Sequence, residues 1–323
     1  MKSYLQEPEA QRLPDATEAT INRSHYYRQF LHGYYQFDCV VEKDVTRSTK
    51  FYIPEGSIYN QPTIFLGVPG GKNSWDFLVE SGWKALADEY GLYLVLMEAS
   101  DETGWKGDQA DEAYLNALNN DISLRPMFCS FQPNFYAVAY GDSADVVARQ
   151  SRKSPRAYAA VALIGTSGMT EEEETMLSET ESRVPGVTFS AIQTPVWIVP
   201  ARTKDSQTDQ EKEAVEQAVE RETSYYRRAN HSEENGSVLG TKTVWLPKEG
   251  GDDDEYWCAN VVEDQCEWES CVNRAYSEAI LTELFDGIYR YPGNNNGALR
   301  KAGNIYERGF QKFSADVWGG YYS

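Results

Sequence analysis

Two kinds of apolar segment alternate along the middle of this chain. Thr63–Val68, Leu92–Glu98, Phe135–Tyr140, Tyr158–Gly165 and Thr194–Ala201 are apolar almost throughout, the pattern of a strand buried on both faces. Between them, Trp75–Gly91, Asp111–Ser123 and Ala144–Lys153 are apolar on one helical face only, and Gly91 stands where a helix C-cap is expected. Glu211–Asn230 and Arg274–Tyr291 predict two further helices, the second stopped by Pro292 and Gly293. Strands alternating with helices of this length predict an α/β fold. Its doubly wound, mostly parallel sheet is flanked by helices on both faces, a three-layer sandwich. Upstream, Ser24–Phe37 has helical spacing, and Phe37–Gly56 alternates like two strands meeting near Lys43–Asp44. Thr241–Pro247 reads as the last strand of the sheet.

The edges of this pattern set the domain organisation. Residues 1–24 are polar and interrupted by proline, an expected N-terminal arm; 25–292 form one domain; 293–323 form an extended Gly/Asn-rich tail. That tail faintly echoes Gln36–Pro54. The acidic run Thr170–Ser182 fits either a lid over the sheet or a solvated connecting helix.

Composition narrows the classes of function. The 323 residues carry 30 Lys+Arg against 50 Asp+Glu, a formal charge of −20, so a nucleic-acid or anionic-membrane partner is not expected. The first residues lack a signal-peptide pattern and no long apolar run follows, so the expected location is cytoplasmic, or secreted only if a leader precedes the sequence. The 5 cysteines form no CxxC pair and read as free thiols, with a disulfide among Cys258, Cys266 and Cys271 left open for a secreted protein. No His/Asp/Glu set has metal-ligand spacing, so no metal is expected.

Candidate chemistry gathers at Gly141-Asp142-Ser143-Ala144-Asp145, between an apolar strand and a helix. A serine on such a strand-to-helix turn presents its hydroxyl over the sheet, and the helix N-terminus offers N–H dipoles to a developing oxyanion. Asp145 departs from the small residue usual two places after the nucleophile. The second element is Val68-Pro69-Gly70-Gly71-Lys72-Asn73, directly after an earlier strand, where glycines let the main chain approach an intermediate. Gly71 and Lys72, with Ala144, are the expected oxyanion-hole donors.

Residues 45–290 resemble the α/β-hydrolase superfamily, and more narrowly the polyhydroxybutyrate-depolymerase-like or feruloyl-esterase-like esterases. The segments carrying the resemblance are Phe51–Gly56, Ile64–Gly71, Ser81–Glu98, Tyr140–Asp145 and Thr194–Ala201. The resemblance implies hydrolysis of a small-molecule or polymeric carboxylic ester through an acyl-enzyme on Ser143, without metal or organic cofactor. It places the triad acid at Asp205, with Asp209 as second choice, and the histidine after the last strand. Lys248–Asn273 holds no histidine, and Cys266 or Glu267 occupies the matching place. Of the 3 histidines, His231 follows the acid and is the candidate base, Glu267 is the alternative base, and His25 and His32 lie in the N-terminal segment. Two readings follow: an esterase using Ser143, Asp205 and His231, or a hydrolase-fold binding or scaffolding module without the triad histidine. Oligomerisation is left open.

Overall fold

The computed structural model describes residues 33–55, 62–124, 134–182, 184–201, 208–232, 236–247, 259–285 and 287–290, and two short strands at 11–12 and 299–301. The described residues form thirteen strands: β1 (Gln11–Arg12), β2 (Gly33–Glu42), β3 (Val45–Ile53), β4 (Thr63–Gly67), β5 (Tyr93–Met97), β6 (Phe135–Tyr140), β7 (Ala160–Thr166), β8 (Val196–Pro200), β9 (Ser237–Leu239), β10 (Lys242–Trp245), β11 (Val261–Asp264), β12 (Ile288–Arg290) and β13 (Leu299–Lys301). The helices are α1 (Ser74–Glu80), α2 (Trp83–Tyr90), α3 (Gln109–Leu124), α4 (Asp142–Lys153), α5 (Glu171–Glu179), α6 (Asp209–Ala229) and α7 (Arg274–Ala279), the last extended by a π-turn over Ile280–Leu284.

One 11-stranded sheet runs in the order β1-β2-β3-β5-β4-β6-β7-β8-β11-β10-β9. The strands from β5 to β11 pair in parallel, while β3 and β10 flank them antiparallel. Every residue of β4, β5, β6 and β7 is buried, as expected for strands covered on both faces. Alternate residues then feed two separate cores. Ile64, Leu66, Tyr136 and Val138 pack with Trp75, Trp83, Ile280 and Phe285 from α1, α2 and the segment after α7. Phe65, Ala137 and Leu163 pack on the other face with Tyr114, Leu118, Val146, Val147 and Tyr226 from α3, α4 and α6. The result is the expected three-layer α/β fold, a mostly parallel sheet with helices on both faces.

Several boundaries differ from the sequence reading. Gly33–Phe37 is strand, not helix, because Tyr35, Phe37 and Cys39 face the core at a period of two. The hairpin with β3 turns at Lys43–Asp44 as expected, with Asp44 at φ 65°. Trp75–Gly91 forms two helices rather than one. The break is Gly82, at φ 80°, where a Cβ would come within 2.3 Å of the Arg274 Cα, so the backbones approach closer than any side chain allows. Thr241–Pro247 is not the last core strand: β10 is an antiparallel edge strand, and β11 inside the Lys248–Asn273 window pairs in parallel with β8. Arg274–Tyr291 is helical only to Leu284, and β12 pairs with β13 across the expected domain limit at 292. The acidic helix α5 is anchored to its neighbours: Glu173 pairs with Arg152, Glu174 pairs with Arg221 and Arg228, and Leu177 is buried. Among the described residues no helix is long and apolar enough to cross a membrane.

Candidate functional site

The strand-to-helix turn expected at the site is present, but a different residue stands at its apex. Strand β6 ends at Tyr140, helix α4 begins at Asp142, and Gly141 makes the turn alone at φ 56°, ψ −134°. That conformation would strain any L-residue, and glycine adopts it without a side chain to project. A Cβ built at Gly141 points to the place a nucleophile would occupy, 3.4 Å from Pro69 Cβ in the oxyanion loop and 3.3 Å from Trp268 Cη2. The apex therefore carries no reacting group.

Ser143 lies one helical step further on and faces inward. It is fully buried, its hydroxyl donates to the Tyr140 carbonyl at 2.7 Å, and the Tyr140 N–H donates back at 3.0 Å. Its Oγ sits against β4, so close that a Cβ on Gly67 would be 2.6 Å away. This corrects the sequence reading of Ser143 as the exposed nucleophile. The hydroxyl closes the underside of the turn and packs the helix start onto the sheet.

Trp268 covers the vacant apex. It belongs to the loop after β11, where the resemblance expects the triad histidine, and follows Cys266 and Glu267 in a 3-10 turn. Its indole lies across two glycine backbones, for a Cβ on Gly165 would be 3.0 Å from Trp268 Cγ. Beneath it, Tyr140 is buried, its hydroxyl accepts from Trp83 Nε1 at 3.1 Å and meets Ser277 Oγ at 3.2 Å, and burial pushes its pKa up to about 12. It stays neutral at physiological pH.

The expected oxyanion donors are also differently employed. The Ala144 N–H donates to the Gly141 carbonyl at 2.9 Å, and the Lys72 N–H donates to the Pro69 carbonyl at 3.3 Å, so both serve turns. Gly71 sits in that turn at φ 74°. Where a substrate oxyanion would meet the loop, the Asp142 carboxylate accepts from the Gly70 N–H and the Trp105 N–H, each at 2.8 Å. The Trp105 indole in turn donates to the Val68 carbonyl at 2.8 Å. A carboxylate of the protein itself thus occupies the Gly70 N–H of the glycine loop.

The base candidates do not converge on this place. His231 is exposed, at φ 51°, just after α6. Its neighbour Asn230 bonds the backbone of Thr194 on both sides, which fixes this end of α6 at the N-terminal edge of β8. The elbow lies at the opposite, C-terminal edge of the parallel strands, and β8 alone is 5 residues long, or about 16 Å at ~3.3 Å per residue. His231 is therefore no base for this turn, a second correction. Glu267 is exposed, and its carbonyl accepts from Ser270 Oγ and Cys271 Sγ. Asp205, His25 and His32 lie outside the described residues; Asp209 is the first residue of α6, whose N-cap Thr208 forms a capping box with Glu211. No cluster of three metal-ligating side chains is present among the described residues.

The sequence did hold a signal for the apex. Small residues flank Gly141 at two places before and two after, as Ala139 and Ser143, whereas the frame centred on Ser143 puts Asp145 where a small residue is needed. Trp268 lies in the segment that the resemblance matches to the histidine loop, but only the packing brings it over the turn.

No protein-family model and no curated protein matches the chain. Among solved structures it is similar to a poly(3-hydroxybutyrate) depolymerase of Bordetella parapertussis, at 17% identity and TM-score 0.46, covering 68% of this chain and 83% of that one. It is also similar to an acetyl xylan esterase of Aspergillus awamori, at 7% identity and TM-score 0.46, covering 72% and 92%. A third likeness is a dienelactone hydrolase of Anabaena variabilis, at 12% identity and TM-score 0.40, covering 61% and 82%.

Proposed function

We propose that this chain is a non-hydrolytic member of the hydrolase fold, a binding or scaffolding module that keeps the frame of an esterase site without its reacting groups. One observation carries the reading: the apex of the elbow is Gly141, and Trp268 lies against it. Acyl transfer needs a nucleophile at that apex with a base in hydrogen-bond reach. Here the serine of the turn is buried and bonded to backbone, and the described histidine is at the other edge of the sheet. A polar cleft of about 680 Å³ remains open beside the oxyanion loop, lined by Arg47, Lys50, Gly70, Lys72, Asp101 and Glu102, and it suits a small polar ligand.

The test is fluorophosphonate labelling and p-nitrophenyl acyl-ester turnover on the full chain, with Ser143→Ala beside it. Neither protein is expected to label or turn over. Labelling of the wild type that disappears in Ser143→Ala would restore the esterase reading.

A further inference from the structure

Cys266 and Cys271 stand on either side of Trp268 in the loop after β11, with their Sγ atoms 3.0 Å apart. Both are free thiols. A disulfide needs about 2.05 Å between the sulfurs, so closing the pair asks for a movement of only about 1 Å. The two thiols differ in access. Cys271 is buried and its Sγ meets the Glu267 carbonyl at 3.5 Å, whereas Cys266 is half-buried and lines a cleft of about 510 Å³ between the end of β8, α6 and β11. Cys266 also reaches the Tyr276 hydroxyl at 3.7 Å, and that hydroxyl donates to Asp264 at 2.8 Å.

We propose that Cys266 and Cys271 form a peroxide-reactive dithiol, Cys266 attacking and Cys271 resolving, whose disulfide closes the loop around Trp268. The chemistry is that of a redox-sensing pair: an accessible thiol poised beside a second one. The Cys271 S–H beside it holds the Cys266 thiol below the ordinary range, while the same contact and burial push Cys271 up, so the half-buried Cys266 sulfur is the better nucleophile of the two. In the first step the Cys266 sulfur bonds to one peroxide oxygen, the O–O bond breaks, and the departing hydroxide takes up the thiol proton as water. Cys271 then attacks the Cys266 sulfenic acid, the S–O bond breaks, and the second water leaves with the Cys271 proton. Two thiols and one hydrogen peroxide thus give one disulfide and two waters. The cleft selects the class of oxidant. Glu216, Glu220, Glu263 and Glu267 line it, so a small neutral peroxide meets Cys266 more readily than an anionic disulfide does.

This site stands whether or not the elbow hydrolyses anything. The test treats the full chain with hydrogen peroxide, alkylates the remaining thiols, and maps them by peptide mass spectrometry. In the wild type the peptides bearing Cys266 and Cys271 are expected to lose alkylation together and to be joined with the loss of two hydrogen masses. In Cys271→Ser, dimedone is expected to trap a sulfenic acid on Cys266; in Cys266→Ser, Cys271 is expected to remain alkylatable at the same exposure. Alkylation of both thiols at peroxide levels that oxidise a free low-molecular-weight thiol would overturn the proposal. So would a disulfide joining either one to Cys258, or trapping of Cys271 as fast as Cys266.

Discussion

Helix α4 starts at Gly141, under the Trp268 indole, and it ends in a buried ion network. At its N-terminus Asp142 is exposed and spends its carboxylate on two backbone N–H groups of neighbouring loops. At its C-terminus Arg152 lies between Glu222 and Glu173, with side-chain exposures of 1%, 0% and 9%. Glu222 and Asp145 both face the Thr166 hydroxyl, at 2.9 and 3.0 Å. The hydroxyl has one proton for two carboxylates. The contrast separates two uses of polarity. The network is buried at Arg152 and Glu222, opens at Asp145 and Glu173 onto a cleft of about 510 Å³, and holds α4, α5 and α6 together, whereas at the other end Asp142 takes up the N–H groups of Gly70 and Trp105.

The largest expected effect falls on the network. Arg152→Ala leaves two carboxylates buried without their cation and should cost about 3–5 kcal/mol in urea unfolding, the usual result of breaking a buried pair. A cost below that of an exposed pair would mean that water reaches the site, and the contrast between the two ends would dissolve. Next is Gly141→Ala, which forces an L-residue to φ 56° and a methyl group to within 3.3 Å of Trp268, for about 1–3 kcal/mol. Adding Trp268→Ala should return the steric part of that cost and leave the backbone part; strict additivity in the double variant would show that the ring does not rest on the turn. Ser143→Ala ranks third. It removes the hydroxyl bonded to Tyr140 and should cost about 1 kcal/mol with no change in ester turnover.

The smallest effect is in pH dependence. Burial raises the Asp145 carboxyl above its ordinary value, with Thr166 and Ser167 opposing, and burial likewise raises Glu222, with Arg152 opposing. A raised acid binds its proton more tightly in the folded chain. Its stabilisation is therefore full below the unfolded value of about 4 and is lost as pH climbs through the raised native value. Thermal melts between pH 4 and 7 should show a shallower decline in Asp145→Asn than in the wild type. An equal decline would remove Asp145 from the network's titration.

The parallel core was legible because its strands are buried on both faces and read as unbroken apolar runs. The site was legible only as a frame. A strand, a turn and a helix around Gly141–Asp145 follow from local pattern, but the apex depends on the last rung of the ladder, where Tyr140 pairs with Ile164 before α4 starts. That rung moves the apex two residues from the serine that the motif picks out. The last core strand escaped notice for a similar reason. Val261–Asp264 is four residues long and half acidic, whereas the edge strand at Lys242–Trp245 carries the strand-forming residues Thr243, Val244 and Trp245. Tyr35, Phe37 and Cys39 were likewise ambiguous, since aromatic spacing in that segment satisfies either period until a neighbouring strand selects one.

By itself the sequence determined the α/β architecture, the strand–turn–helix around Gly141–Asp145 and the absence of histidine from Lys248–Asn273, because periodicity and composition are properties of short segments. Tertiary structure decided what the elbow holds. The register of β6 put Gly141 at the turn and Ser143 beneath it, the fold of α6 carried His231 to the far edge, and the loop after β11 laid Trp268 across Gly141 and Gly165. The placements of His231 and Trp268 are contacts between residues far apart in the chain, which no local pattern encodes, whereas the apex at Gly141 had its own local signal in the small residues around it.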